Sequence, residues 1–305
     1  MNLNHDAQLQ TLRDALQQRL DHLLPAGAQQ DQIYSAMREG TLVAGKRVRP
    51  LLLMLAAHDL GCDADQRGLL DLACAVEMVH AASLMLDDIP CMDNAALRRG
   101  RPTIHRQYGE NVAILAAVAL LSRAFGVVAE AQGLSAACKA AAVAELSTAV
   151  GLQGLVQGQF LDLHEGDKAR SAEAIQLTNE LKTSRLFDAT LQMAAIAAEA
   201  SPQVCERLRC FALDLGQAFQ LMDDLTDGLN GTGKDINKDD GKSTLVAMLG
   251  AEVVHQRLSE HLRSADEHLA SACPRGVSTR RFMRAWFDKQ MTLFGESRAT
   301  TLPGC

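Results

Sequence analysis

Apolar and polar positions along the chain alternate with helical spacing. Leu69, Leu72, Ala73, Val76, His80, Ser83 and Asp87 follow steps of three and four residues, so one helix face runs from apolar core through His80 to an aspartate. Leu213, Gln217, Gln220, Asp223, Asp224 and Asp227 form a second stripe of the same polarity. Either stripe alone reads as a core helix with a solvated end. Two of them predict a deep apolar pocket with a charged mouth. Alternating β-branched runs are absent, and no proline falls between Thr103 and Ser201. The expected fold is therefore all-α, a helical bundle in one domain over 1–305. The flanks, roughly 1–25 and 290–305, are expected to be peripheral. Gly151, Gly154 and Gly158 lie in one helical stretch and predict close packing of helices rather than chemistry.

Composition narrows the function. A net charge of −7 argues against a nucleic-acid partner. None of the 8 cysteines forms a CxxC pair, which points to reduced thiols and a cytoplasmic location. No uninterrupted apolar run reaches about 18 residues, so no membrane span is expected. Residues 1–24 mix polar residues with leucines and do not resemble a secretory leader.

The candidate chemistry lies in the acids. Asp223 and Asp227 are four apart and share a helix face about one turn from each other. Asp87 and Asp93 are six apart with Pro90 between them, so the backbone must bend to bring them together. Two carboxylates ~4 Å apart repel by about 4 kcal/mol at an effective dielectric of ~20, so positive charge should compensate. An all-oxygen set suits Mg²⁺ bridging carboxylates to substrate phosphates. The basic groups are placed to match. Lys46, Arg47 and Arg49 stand before Pro50, Arg98, Arg99 and Arg101 follow the first acids, and Lys234 and Lys242 follow the second. Arginine grips phosphate oxygens bidentately and lysine supplies a compact charge. Gly241-Lys242-Ser243-Thr244 is not a phosphate-binding loop of the P-loop kind, because Ile236 stands where the first glycine is required and no strand precedes it.

These motifs resemble the trans-prenyl diphosphate synthases. GKRVRP, HAASLMLDDIPCMDNAALRRGRPT, LKTS, GQAFQLMDDLTD and GKST occur in that family's order between about Ser35 and Lys289, and the similarity is strongest to bacterial geranylgeranyl diphosphate synthases of carotenoid pathways. The resemblance implies helices around a central cavity, usually in a homodimer, and head-to-tail condensation of isopentenyl diphosphate with an allylic diphosphate. It implies Mg²⁺, roughly three ions per site, held by Asp87, Asp88, Asp93, Asp223, Asp224 and Asp227. It places Lys46, Arg49, His80 and Arg99 on isopentenyl diphosphate. Arg98, Lys182, Thr183, Gln220, Lys234 and Lys242 fall on the allylic diphosphate. The Thr183 hydroxyl and the Gln220 carbonyl oxygen could also steady an allylic cation.

Product length has a physical handle within this resemblance. Ser83 lies one turn, about 5.4 Å, below Asp87 on the same face, and Ala82 adjoins it. Related farnesyl synthases carry an aromatic at the position of Ala82. The small residue here implies room for a C20 product, with a C15 product as the alternative. A class I terpene cyclase fits less well, because the second cluster is all aspartate and aromatic residues are scarce. A noncatalytic partner subunit fits less well too, because both acid clusters and the cations are present.

Overall fold

In the computed structural model the described residues are 3–24, 31–43, 45–62, 67–165, 170–226 and 244–301. The all-α expectation holds. Helices α1 (Leu3–Leu23), α2 (Gln32–Leu42), α3 (Val48–Asp59) and α4 (Arg67–Asp87) lead into a two-residue hairpin, Leu97–Arg98 with Arg101–Pro102. They are followed by α5 (Ile104–Tyr108), α6 (Glu110–Glu130), α7 (Ala136–Val150), α8 (Leu155–Glu165) and α9 (Ala172–Asn179). A π-helical turn, Glu180–Ser184, joins α9 to α10 (Arg185–Ala197). The chain closes with α11 (Pro202–Thr226), α12 (Leu245–Leu249), α13 (Ala251–Ala272) and α14 (Ser278–Thr301).

The core follows the apolar stripes. α4 packs on α3 and α6, α10 packs on α3, α7 and α11, and α11 lies along α13. Side-chain caps start several helices. Asp31 accepts the N–H groups of Ile33 and Tyr34 at the head of α2, and Ser135 and Ser171 cap α7 and α9. One cap crosses the fold. Asp59, the last residue of α3, accepts the N–H groups of Ser278 (3.1 Å) and Thr279 (2.8 Å) at the head of α14. A carboxylate there meets the positive end of α14, so the two helices are pinned antiparallel.

One expectation needs correction. α1 is not peripheral: Leu16, Leu20 and Leu24 are buried, because leucines four apart give it an apolar stripe. Arg19 ties it to Asp71 of α4 at 2.6 Å. Among the described residues, two helices are long and apolar enough to cross a bilayer by length and composition alone. α4 and α6 both qualify by length and composition, since an averaged window tolerates the polar residues that broke the uninterrupted runs. Most of the apolar window of α4 (72%) is buried in the bundle, against 44% for α6, whose Ile114, Leu115 and Val118 are exposed.

Candidate active site

The first acid cluster is built by a turn. α4 delivers Asp87, and Pro90, which has no N–H, then prevents the helix from continuing. The chain folds back through Asn94 N–H to Ile89 C=O (3.1 Å), Ala95 N–H to Asp88 C=O (3.2 Å) and Asp93 N–H to Asp87 C=O (2.9 Å). The last of these bonds brings Asp93 beside Asp87, the bend that the six-residue spacing requires. Desolvation pushes the Asp87 carboxyl up to about 6; Asp93 and Asp88 add to this, and Lys182 and Arg98 oppose it.

Asp88 is placed differently from the other acids grouped with it. Successive helix positions differ by about 100°, and Asp88 is buried under Arg98. The arginine donates from Nε to Oδ1 and Oδ2 (both 2.9 Å) and from Nη2 to Oδ1 (2.6 Å). Arg98 itself is set by the small hairpin, which the helical reading missed. Arg99 and Gly100 form its loop with φ of 54° and 75°, the pairing expected of a type I′ turn. Arg98 therefore sits on a strand beside Asp88, while Arg99 at the tip reaches Gly45. A Cβ at Gly45 would come within 2.6 Å of the Arg99 guanidinium.

The cations before Pro50 divide by direction. Arg47 has left-handed backbone (φ 49°) and its side chain turns inward. It is buried against Glu77 and donates to the Thr41 carbonyl (2.7 Å), the Val43 carbonyl (3.2 Å) and Gln17 Oε1 (3.2 Å). It is thus a tie between α1, α2, α3 and α4. Lys46 and Arg49 stand on either side of it. Lys46 Nζ donates to Gln290 Oε1 (2.8 Å), and Arg49 stacks 4.3 Å above the Phe187 ring. Desolvation brings Arg49 down to about 10, against the pull of Glu77 and Asp223, so it stays charged at neutral pH. His80 is held well below its ordinary value by desolvation and then by Arg49, Arg99, Arg98 and Arg47. It is a neutral donor and acceptor inside a positive field.

The π-helical turn carries Lys182 and Thr183. It is clamped by two glycines. A Cβ at Gly158 of α8 would lie 2.4 Å from the Lys182 backbone nitrogen, and one at Gly216 of α11 would lie 2.5 Å from Ser184 Cα. The packing role expected for Gly158 is thereby borne out, whereas Gly151 and Gly154 lie in the turn between α7 and α8 and not in one helical stretch with it. Lys182 Nζ donates to Asp162 Oδ2 of α8 (2.6 Å). Desolvation works against its charge, yet Asp162, Asp87 and Asp93 outweigh it and raise the lysine. Thr183 Oγ1 donates to Gln220 Oε1 (3.3 Å), and Gln220 Nε2 donates to Asp224 Oδ1 (2.9 Å). Only an amide N–H₂ can donate to a carboxylate, so this last bond turns the Gln220 oxygen toward Thr183.

In the second acid cluster Asp223 is exposed at the end of α11, and Asp224 is engaged by Gln220. Asp227, Lys234 and Lys242 lie outside the described residues. Among the described residues no three His, Cys, Asp or Glu side chains converge on one point. The donors still suit Mg²⁺, which takes one or two carboxylates and completes its shell with water and substrate phosphate. Asp87 and Asp93, side by side and mutually repelling, offer that pair. Below them Ala82 is fully buried, and Ser83 donates to the His80 carbonyl (2.9 Å), which satisfies its hydroxyl within its own helix.

Three contributors were not singled out from the sequence. Asp162 lies four residues after Gly158 on one face of α8, a spacing that carried a signal. Glu77 and Gly216 act through tertiary contacts that no local pattern records.

A profile of the polyprenyl synthetase family matches residues 30–273. The chain is 62% identical over 291 residues to a geranylgeranyl diphosphate synthase of Pantoea ananas, covering 95% of this chain and 96% of that one. It is 56% identical over 284 residues to one from Pseudescherichia vulneris, covering 93% and 92%. Its fold is similar to the crystal structure of a geranyltransferase from Helicobacter pylori complexed with magnesium and isoprenyl diphosphate, with a TM-score of 0.85 at 27% identity over 96% of this chain and 99% of that one. A helical bundle that gathers acids and cations at one apolar mouth, matched over most of its length by these relatives, belongs to the polyprenyl synthetase family.

Proposed function

We propose that this chain is a geranylgeranyl diphosphate synthase, which condenses isopentenyl diphosphate with an allylic diphosphate, farnesyl diphosphate or a shorter primer, to give a C20 product and diphosphate. The observation that carries this reading is the arrangement around α4. Asp87 and Asp93 face Lys182 and Arg98, while His80, about two turns down the same helix stripe, faces Arg49 and Arg99. Two anion sites thus adjoin one apolar helix, as a reaction between two diphosphates requires.

Mg²⁺, roughly three ions per site, would be held by Asp87, Asp93, Asp223 and Asp227, and when bound it supplies positive charge to the departing diphosphate. The chain's own groups do the rest. Lys182 and Arg98 hold the allylic diphosphate, with Lys234 and Lys242 assigned to the same role. Lys46, Arg49, His80 and Arg99 hold isopentenyl diphosphate. Thr183 Oγ1 and Gln220 Oε1, fixed against each other, present oxygen lone pairs to the electron-poor allylic carbon. Buried apolar residues around Ala82 exclude water from it. In this scheme Asp88 and Asp224 act as positioning residues for Arg98 and Gln220.

The small, partly exposed Ser83 one turn below Asp87 supports a tail pocket long enough for C20, while Ala82 beside it is fully covered by protein. The exposed apolar face of α6 supports a homodimer. The reading extends to a carotenoid-type pathway and a cytoplasmic location. The decisive assay supplies the protein with Mg²⁺, isopentenyl diphosphate and each allylic primer in turn. Condensation to C20 is expected, and no product from any primer would overturn the enzyme assignment. Ala82→Phe should shift the main product to C15. An unchanged C20 product in the folded variant would remove α4 as the length gauge.

A further inference from the structure

The geometry points to Trp286 of α14 as a direct hydrogen-bond donor to the isopentenyl diphosphate, making the C-terminal helix one wall of that site. This rests on the assignment of Lys46 and Arg49 to the same substrate. Lys46 Nζ lies 5.2 Å from the centroid of the Trp286 ring and donates to Gln290, four residues further along α14. Trp286 and Gln290 therefore share the helix face that meets Lys46.

The indole is also oriented. It stacks on Phe219 at 4.1 Å and 24°, Phe219 meets Phe187 at 4.9 Å, and Arg49 covers Phe187. Phe287 packs edge-on against both Trp286 and Phe219. Lys46 and Arg49 thus stand at the two ends of one row of aromatic rings. Two buried donors in this row, Trp286 Nε1 and Arg49 Nε, have no acceptor among the described residues. An indole N–H can only donate, and buried donors are nearly always paired. A phosphoryl group held by Lys46 would adjoin the indole, because Lys46 Nζ lies over the Trp286 ring. The placement agrees with the cap at the far end of the helix. Arg49 lies ten residues before Asp59, about 15 Å of rise. Antiparallel α14, pinned at Ser278 and Thr279, brings Trp286 and Gln290 to that level.

Trp286 is the only tryptophan in the chain (Trp 1), so its emission reports on this site alone. Titrating the full-length protein with isopentenyl diphosphate should change that emission saturably. Trp286→Phe keeps a ring in the row and removes only the N–H. It should raise the KM for isopentenyl diphosphate about tenfold, with kcat and the KM for the allylic substrate within about twofold of wild type. A purely structural role would move the melting temperature and leave the ratio of the two KM values unchanged. Either that outcome, or no change in emission when calorimetry shows isopentenyl diphosphate bound, overturns the proposal. Absence of condensation by the wild-type protein would instead overturn the assignment of function, while the emission titration still tests the anion contact.

Discussion

The two aspartate clusters reach similar ends by different means. The first is a turn: backbone hydrogen bonds after Asp87 carry Asp93 back across Pro90. The second begins on a helix, α11, which carries Asp223 and Asp224 in its last turn. In both, the second member of the Asp-Asp pair is turned aside, because neighbouring helix positions face about 100° apart. Asp88 binds a guanidinium in a buried ion pair, and Asp224 binds a neutral amide. A doubled aspartate therefore supplies one acid to the mouth and one to the scaffold. What the scaffold acid holds decides how much depends on it.

Substitutions should separate these roles. Asp87→Ala removes an acid from the mouth of the first turn and should lower kcat/KM by about a thousandfold or more with little change in helicity. Steady-state kinetics beside circular dichroism checks this, and a loss under tenfold would break the ranking. Asp88→Asn should cost less in rate, some tens-fold, but more in stability. It removes the counter-charge of Arg98 and one of its two acceptor oxygens, and because that side chain is 26% exposed the cost should be about 2 kcal/mol, below the 3–5 kcal/mol of a fully buried pair. Denaturant unfolding measures it. Asp224→Asn should be the mildest, a few-fold in rate and under about 1 kcal/mol, because an asparagine oxygen can still accept from Gln220 Nε2. Equal effects of Asp88→Asn and Asp224→Asn would show that the partners do not matter.

The clusters can also be probed by pH. The Asp87 carboxyl, raised to about 6 in the metal-free protein, is protonated below that pH. Mg²⁺ needs the ionised form. Affinity should therefore be level above about pH 7 and fall as pH drops through 6, by at most about tenfold per unit. Calorimetric titration at several pH values tests this, and affinity unchanged down to pH 5 would remove Asp87 from the metal's ligands.

Much of this was legible in the chain. The all-α fold follows from periodicity, and the bend after Asp87 follows from a six-residue spacing interrupted by Pro90. The hydrogen bond from Thr183 to Gln220 joins two residues that the motifs LKTS and GQAFQLMDDLTD mark. The π-helical turn was not legible, because widening one turn leaves the surrounding apolar spacing almost unchanged. Asp162 and Glu77 escaped because their partners, Lys182 and Arg47, lie 20 and 30 residues away in sequence. The inward turn of Arg47 depends on one left-handed residue, and nothing in the string GKRVRP distinguishes it from its neighbours. The burial of α1 was misjudged for a simpler reason. Its leucines were seen, but the face they would meet belongs to α3 and α4.

The glycine clamp on the π-helical turn has a consequence for how such a protein can diverge. Gly158 and Gly216 hold the ridge of Lys182 and Thr183 so closely that neither position admits a side chain without moving backbone. Ala82, the proposed length gauge, lies on a different helix, α4. On the proposed roles of these residues, variation in tail length and constancy of the reacting end fall on different helices. A lineage can explore longer and shorter products by drift on one wall while the other is held by purifying selection.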